Sequence, residues 1–128
     1  MTAVATWSRE TGSTACELQF DTDRWQADLD RSAGGGAHPS PHEILDSALA
    51  ACTALTLELY VQRKQLPVRQ VRVVVGHVQD GTVYRLSRRV TVEGELTEEQ
   101  RASLLRIAQA CPVHKTLTGE IVIDTQVG

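Results

Sequence analysis

Three residues carry most of the chemical potential of this chain: Cys52 in "LAACTAL", and Cys111 and His114 in "QACPVHKTL" (residues 109–117). A cysteine becomes a nucleophile only as thiolate, and its surroundings decide whether it ionises. Cys52 falls on the apolar face of a helical pattern, where desolvation raises a thiol's pKa and a buried, inert role is the plain expectation. Cys111 directly precedes Pro112, a residue suited to the first position of a helix. That places Cys111 at the N-cap of a short helix "PVHKTL", where amide groups and the positive helix end favour thiolate. A cap-like break in the chain explains the same residues without chemistry.

Cys111 and His114 form C-x-x-H, two of the four ligands a structural zinc site needs. Cys16, Cys52, His38, His42 and His77 supply no second close pair, so no metal is expected. Ser/His/Asp hydrolysis lacks a G-x-S-x-G elbow. "GGGAHPS" lacks the Lys-Ser/Thr ending of a phosphate-binding loop, and no cofactor is expected.

The elements that would position these residues are readable in turn. Short strands are expected in "AVATW", "TACELQF" and "RWQADLD", followed by a glycine- and proline-rich loop, "RSAGGGAHPSP". Ser40, Pro41 and Glu43 make a capping box that opens a helix from about Pro41 to Lys64. Leu45, Ala48, Leu49, Cys52, Leu55, Thr56 and Leu59 share one face at helical spacing. Pro67 ends it. "VRQVRVVVGHV" and "YRLSRRVTVEGEL", joined at "QDGT", read as a hairpin with one wet face. Thr97 and Gln100 cap a second helix, continued by Ala102, Leu105, Ala108 and Gln109. "EIVIDT" reads as a closing strand. Runs of strands broken by two long helices indicate an α+β fold, and 128 residues suit one domain over 1–128.

The bulk properties narrow the function. A net charge of -3 and 4% aromatic residues give no support for a nucleic-acid partner. No basic start with an apolar run opens the chain. Ser47 to Leu57, its longest uncharged apolar stretch, is too short to cross a bilayer, so no membrane partner is expected. Three cysteines make an odd set, unlike a secreted disulfide framework, and a cytoplasmic location is the expectation.

Two long segments then carry a specific likeness. "PSPHEILDSALAACTALTLELY" (Pro39 to Tyr60) resembles the P-x-E-L-L…A-L-x-A-C helix of the OsmC/Ohr family. "GELTEEQRASLLRIAQACPVHKTL" (Gly94 to Leu117) resembles that family's second block, ending in CPVH-T-L. With the hairpin and last strand, the resemblance covers nearly the whole chain, the first 30 residues in outline only. It implies an intertwined α+β homodimer with active sites where subunits meet. It also implies thiol-dependent reduction of organic hydroperoxides, with hydrogen peroxide as a further oxidant, restored by an external dithiol reductant. By motif position Cys52 is the peroxidatic cysteine and Cys111 the resolving one. The resemblance further implies that an arginine before the Cys52 helix, Arg31 or alternatively Arg24, stabilises the thiolate, with Glu43 as the substitute for the glutamate that holds it.

One position departs from the family. Classical peroxidase members carry the glutamate ten residues before the cysteine, where this chain has His42; Glu43 is nine before. That departure, with "VVVGHV" and "CPVHKTL", resembles a divergent branch. It keeps a second reading open: a non-catalytic dimer binding a small apolar or thiol ligand in the interfacial pocket.

Overall fold

A computed structural model describes residues 2–128. The chain forms two compact units, Met1–Leu45 and Asp46–Gly128.

The N-terminal unit is a three-stranded antiparallel sheet in the order β1-β2-β3, with β1 Ala3–Thr6, β2 Cys16–Phe20 and β3 Asp23–Ala27. Asp21 turns the chain between β2 and β3 at φ 55, a conformation aspartate tolerates better than most residues. Two single 3-10 turns, Arg9–Thr11 and Arg31–Ala33, were not apparent from the sequence; Ser8 and Asp30 cap them. The glycine-rich loop is organised by Asp28, 5% exposed, whose carboxylate accepts from the Thr14 hydroxyl and the Leu29 and Ala37 amides.

Helix α1, Pro41–Lys64, starts where its capping box predicts. The Ser40 hydroxyl accepts from the Glu43 amide at 3.3 Å, and Glu43 Oε1 accepts from the Ser40 amide at 3.2 Å. In the C-terminal unit α1 continues into a two-stranded hairpin, β4 Val68–Asp80 and β5 Val83–Gly94, turned at Gly81 (φ 60). Helix α2, Glu98–Gln109, has the full Thr97/Gln100 capping box. A third, short helix α3, Pro112–Thr118, begins on Cys111.

Residues on β5 alternate strictly: Tyr84, Leu86, Arg88, Val90 and Val92 are half-buried, and their neighbours are exposed. Val90 and Val92 meet Leu57 of α1 and Leu104 and Ala108 of α2, with Tyr60, Val61, Val71, Leu96 and Ile107 around them. This is the core of the unit, and burying its aliphatic side chains supplies roughly 1.5–3 kcal/mol for each one fully covered.

Two expectations need correction. The buried stripe of α1 is Asp46, Leu49, Thr53 and Leu57, not the face through Ala48, Leu55 and Leu59, where Leu55 is 58% and Leu59 68% exposed. The helix is apolar on both sides, so periodicity alone could not say which side its own hairpin would cover. On α2, likewise, Leu104 is buried and Leu105 exposed. The closing strand "EIVIDT" is absent: residues 120–128 have no regular structure, and Ile121, Val122 and Ile123 are exposed. Its β-prone composition joins neither sheet of the single chain.

Candidate active site

Cys111 is fully buried, and the contacts around its sulfur come from three elements. The His114 amide of α3 donates to it at 3.3 Å, as a thiol N-cap should. From α1, Thr53 Oγ1 lies 3.8 Å away. From β5, Arg88 Nη1 approaches to 3.9 Å. Cys52, one residue before Thr53 on α1 and half-buried, accepts from the Val113 amide at 3.5 Å, so adjacent amides of α3 hold the two cysteine sulfurs. The two cysteines, widely separated in sequence, therefore converge on the first turn of α3.

Burial pushes the Cys111 thiol up, but the surrounding donors outweigh it. The His114 amide, the Thr53 hydroxyl, the Cys52 thiol and the Arg88 charge together hold Cys111 below the usual thiol range. Charge-assisted contacts of this kind distinguish a reactive thiol from an inert one.

Arg88 is the residue that sequence reasoning missed. Its Nη1 donates to Thr53 Oγ1 at 3.1 Å and its Nη2 to His114 Nδ1 at 3.0 Å. The signal was available: period-two alternation puts Arg88 in the same row as Leu86, Val90 and Val92, on the dry face of β5. The adjacent Arg89 lies in the exposed row, so the pair "RR" reads as surface charge unless the row is followed.

The same guanidinium bears on the C-x-x-H pair. It sits against both Cys111 and His114, where its positive charge opposes a metal cation. Among the described residues no group of three or more His, Cys, Asp or Glu converges on a metal position.

Arg88 and His114, the neighbours of Cys111, also line a cavity of about 260 Å³ with Leu49, Leu86 and Leu117 as apolar walls and Tyr84 as a further polar one. Behind Tyr84 lies Asp46, 8% exposed, whose carboxylate accepts from the Tyr84 hydroxyl at 2.8 Å and pairs with His77 Nδ1. The His77 and Tyr84 rings stack with centroids 4.9 Å apart.

The remaining sequence candidates belong to the N-terminal unit. Arg31 and Glu43 line one cavity there of about 290 Å³ with His38. Glu43 also serves the α1 cap. Arg24 is paired with Glu17 at 2.8 Å on the sheet surface. Cys16 is half-buried on β2.

The profile of the OsmC-like proteins matches residues 34–126, which takes in the two cysteines, Arg88 and all three helices. The chain belongs to the OsmC-like family. Its fold is similar to that of an OsmC-like protein from Mycoplasma pneumoniae, with TM-score 0.77, 17% identity, and 92% of this chain and 86% of that one covered. It is also similar to an organic hydroperoxide resistance protein from Elizabethkingia anophelis, with TM-score 0.66, 20% identity and coverages of 91% and 86%. The organic hydroperoxide resistance protein OhrB of Bacillus subtilis follows at TM-score 0.62, 17% identity and coverages of 92% and 90%. No curated protein matches the chain in sequence. At such identities the OsmC-like architecture is shared, and with it the mixed α+β fold of antiparallel sheets and helices.

Proposed function

We propose that this OsmC-like protein is a thiol-dependent peroxidase that reduces organic hydroperoxides to alcohols, and hydrogen peroxide as a lesser oxidant. The observation that carries the reading is the convergence of Cys52 and Cys111 on neighbouring amides of α3 with a guanidinium at Cys111. Two structural relatives bear the name of organic hydroperoxide resistance proteins, which supports the same role.

The steps follow from the chemistry of sulfur. Cys52, the less buried sulfur, attacks the peroxide as thiolate: an S–O bond forms, the O–O bond breaks, and the released alkoxide takes a proton to become alcohol. Cys52 is oxidised by two electrons to sulfenic acid. Cys111 then attacks the Cys52 sulfur, the S–O bond breaks, and hydroxide leaves as water once protonated. The resulting disulfide is reduced by exchange with an external dithiol. The cavity walled by Leu49, Leu86 and Leu117 suits the apolar body of an organic hydroperoxide. Such a cycle needs thiols kept reduced between turnovers, which fits the cytoplasm. We assign Arg31, with Arg24 as the alternative, to the Cys52 thiolate and Glu43 to that arginine.

We further infer a homodimer. Leu55, Leu59, Leu105, Ile121, Val122 and Ile123 are exposed on the single chain, and a second copy is the partner that would cover them.

The test is free-thiol mass spectrometry of the reduced protein before and after one equivalent of tert-butyl hydroperoxide. Cys52 and Cys111 should be lost together as a disulfide while Cys16 is unchanged, and Cys52→Ser should abolish turnover. Turnover unchanged in that variant would exclude the mechanism. The cavity also supports a second reading, a non-catalytic dimer that binds a small apolar or thiol ligand. In that case the thiols stay inert to peroxide, and a ligand raises the melting temperature in a saturable way.

A further inference from the structure

Arg88 poses an energetic problem. A guanidinium placed on the inward row of a strand, between Leu86 and Val90, loses much of its hydration. Such a charge ordinarily takes a carboxylate partner. Among the described residues, Arg88 takes part in none of the ion pairs Arg24–Glu17, His77–Asp46 and Arg85–Asp80. Its contacts are instead Thr53 Oγ1, His114 Nδ1 and Cys111 Sγ. Arginine has donors only, so His114 Nδ1 must accept, which leaves the imidazole neutral with its proton on Nε2. The Thr53 hydroxyl is neutral as well. Of the three, only the sulfur can supply a negative charge.

We propose that Arg88 is a positioning residue for the resolving step, the built-in counter-ion that keeps the Cys111 sulfur anionic and aimed at Cys52. The proposal rests on the peroxidase reading and adds a second cation to it, separate from the arginine assigned to Cys52. The groups that face the Cys111 sulfur are Cys52 and Thr53 from α1, Arg88 from β5 and His114 from α3; α2 contributes the Ala108 carbonyl, which accepts from the Cys111 amide at 3.4 Å. The lowered pKa of Cys111, which favours its thiolate, agrees with this arrangement.

In the resolving step the Cys111 sulfur donates its electron pair to the Cys52 sulfenic acid, so the S–S bond forms as the S–O bond breaks. The anion on Cys111 is consumed, and the hydroxide set free takes a proton from solvent. Arg88 accelerates this step by raising the fraction of Cys111 present as thiolate. It also protects Cys52, because a sulfenic acid that waits for its partner is exposed to a second peroxide and to irreversible sulfinic acid. The other guanidinium nitrogen, tied to His114, keeps the charge from swinging toward solvent.

The experiment uses the full-length protein with Cys16→Ser, comparing Arg88 with Arg88→Met and Arg88→Lys. Rapid quenching after tert-butyl hydroperoxide, with dimedone trapping and mass spectrometry, follows Cys52 sulfenic acid and the disulfide separately across pH. In Arg88→Met the disulfide step should slow by about tenfold at neutral pH for each pH unit by which Cys111 ionisation moves up. The sulfenic step should slow much less, and Cys52 sulfinic acid should accumulate. The pH midpoint of the disulfide step should rise, with Arg88→Lys in between, because lysine keeps the charge but not the second contact. Equal slowing of both steps, or an unmoved midpoint, would overturn the proposal. If Arg88→Met does not fold, Arg88→Lys carries the same comparison. An ultraviolet thiolate titration of the reduced proteins, compared with Cys111→Ser, judges the Arg88–Cys111 pairing without any peroxide. Absence of Cys52 sulfenic acid in the parent would sink the peroxidase reading, whereas a titration that ignores Arg88 would sink this inference alone.

Discussion

His114 Nδ1 accepts a hydrogen bond from Arg88 Nη2 at 3.0 Å, and because the guanidinium can only donate, that contact selects one histidine tautomer. The same residue's amide holds the Cys111 sulfur. His114 therefore touches the thiol with its backbone and steadies the thiol's cation with its ring.

A variant pair should separate these roles. His114→Asn can present a side-chain oxygen to Arg88 and should be tolerated. His114→Leu leaves a half-buried guanidinium nitrogen without its acceptor and should cost about 1–3 kcal/mol in urea unfolding. In nitrogen-15 NMR of the parent, the Nδ1 resonance of His114 should be that of an unprotonated acceptor nitrogen. A protonated Nδ1 in the neutral ring would contradict the geometry.

Thr53 is fully buried, and its hydroxyl has one proton for two acceptors: the Leu49 carbonyl at 2.7 Å and the Cys111 sulfur at 3.8 Å. Its oxygen also receives Arg88. Thr53→Val keeps the shape and removes all three contacts, so we expect a loss of about 1–2 kcal/mol in denaturant unfolding. Cys111 ionisation, followed by ultraviolet absorbance, should move up with it. Thr53→Ser should restore most of both. A valine variant with unchanged thiol ionisation would remove the hydroxyl from the account of Cys111.

Much of this architecture was legible in the sequence because local chemistry dictates it. The Ser40/Glu43 and Thr97/Gln100 boxes locate two helix starts to the residue, and Cys111-Pro112 locates the third. Long-range facts were less accessible. Nothing local distinguishes Arg88 from Arg89 except the strand row each occupies, and the row matters only once the partners across it are known. The apolar stripe of α1 was assigned only in part: Leu49 is buried as expected, but Ala48, Leu55 and Leu59 are exposed, because the helix is apolar on two sides. "EIVIDT" has strand composition, but composition does not supply the neighbouring edge a strand requires. The second and third of these misses both concern apolar surface that the single chain leaves open.

That open surface makes a prediction of its own. If a second copy covers Leu55 and Leu59, replacing both with glutamate should weaken self-association while sparing the core, since both lie on the exposed side of α1. Losing the burial of two leucines corresponds to roughly 3 kcal/mol or more, or a dissociation constant higher by about a hundredfold. Sedimentation equilibrium would show a dimer for the parent and a monomer for the variant at the same concentration. Circular dichroism should report unchanged helix content. A parent that sediments as a monomer would remove the dimer.

The Tyr84–Asp46 bond gives a pH signature. Burial first, then the hydrogen bond and the charge of Asp46, push the Tyr84 phenol from 10.0 up to about 12. The folded protein thus holds the phenol proton more tightly than the unfolded chain does. Above pH 10 the unfolded state begins to lose that proton while the folded state retains it, so unfolding is favoured as pH rises. The stabilisation is fully present below pH 10 and is lost between about 10 and 12. Tyr84→Phe has no proton to lose there. At neutral pH it should be less stable than the parent by about 1–3 kcal/mol, because a hydrogen bond to a carboxylate disappears and Asp46 is left with His77. The gap should narrow steadily as the pH climbs through that alkaline window. Urea unfolding of both proteins at a series of pH values measures it directly, and a gap that stays constant would mean the phenol is not held by Asp46 in the folded state.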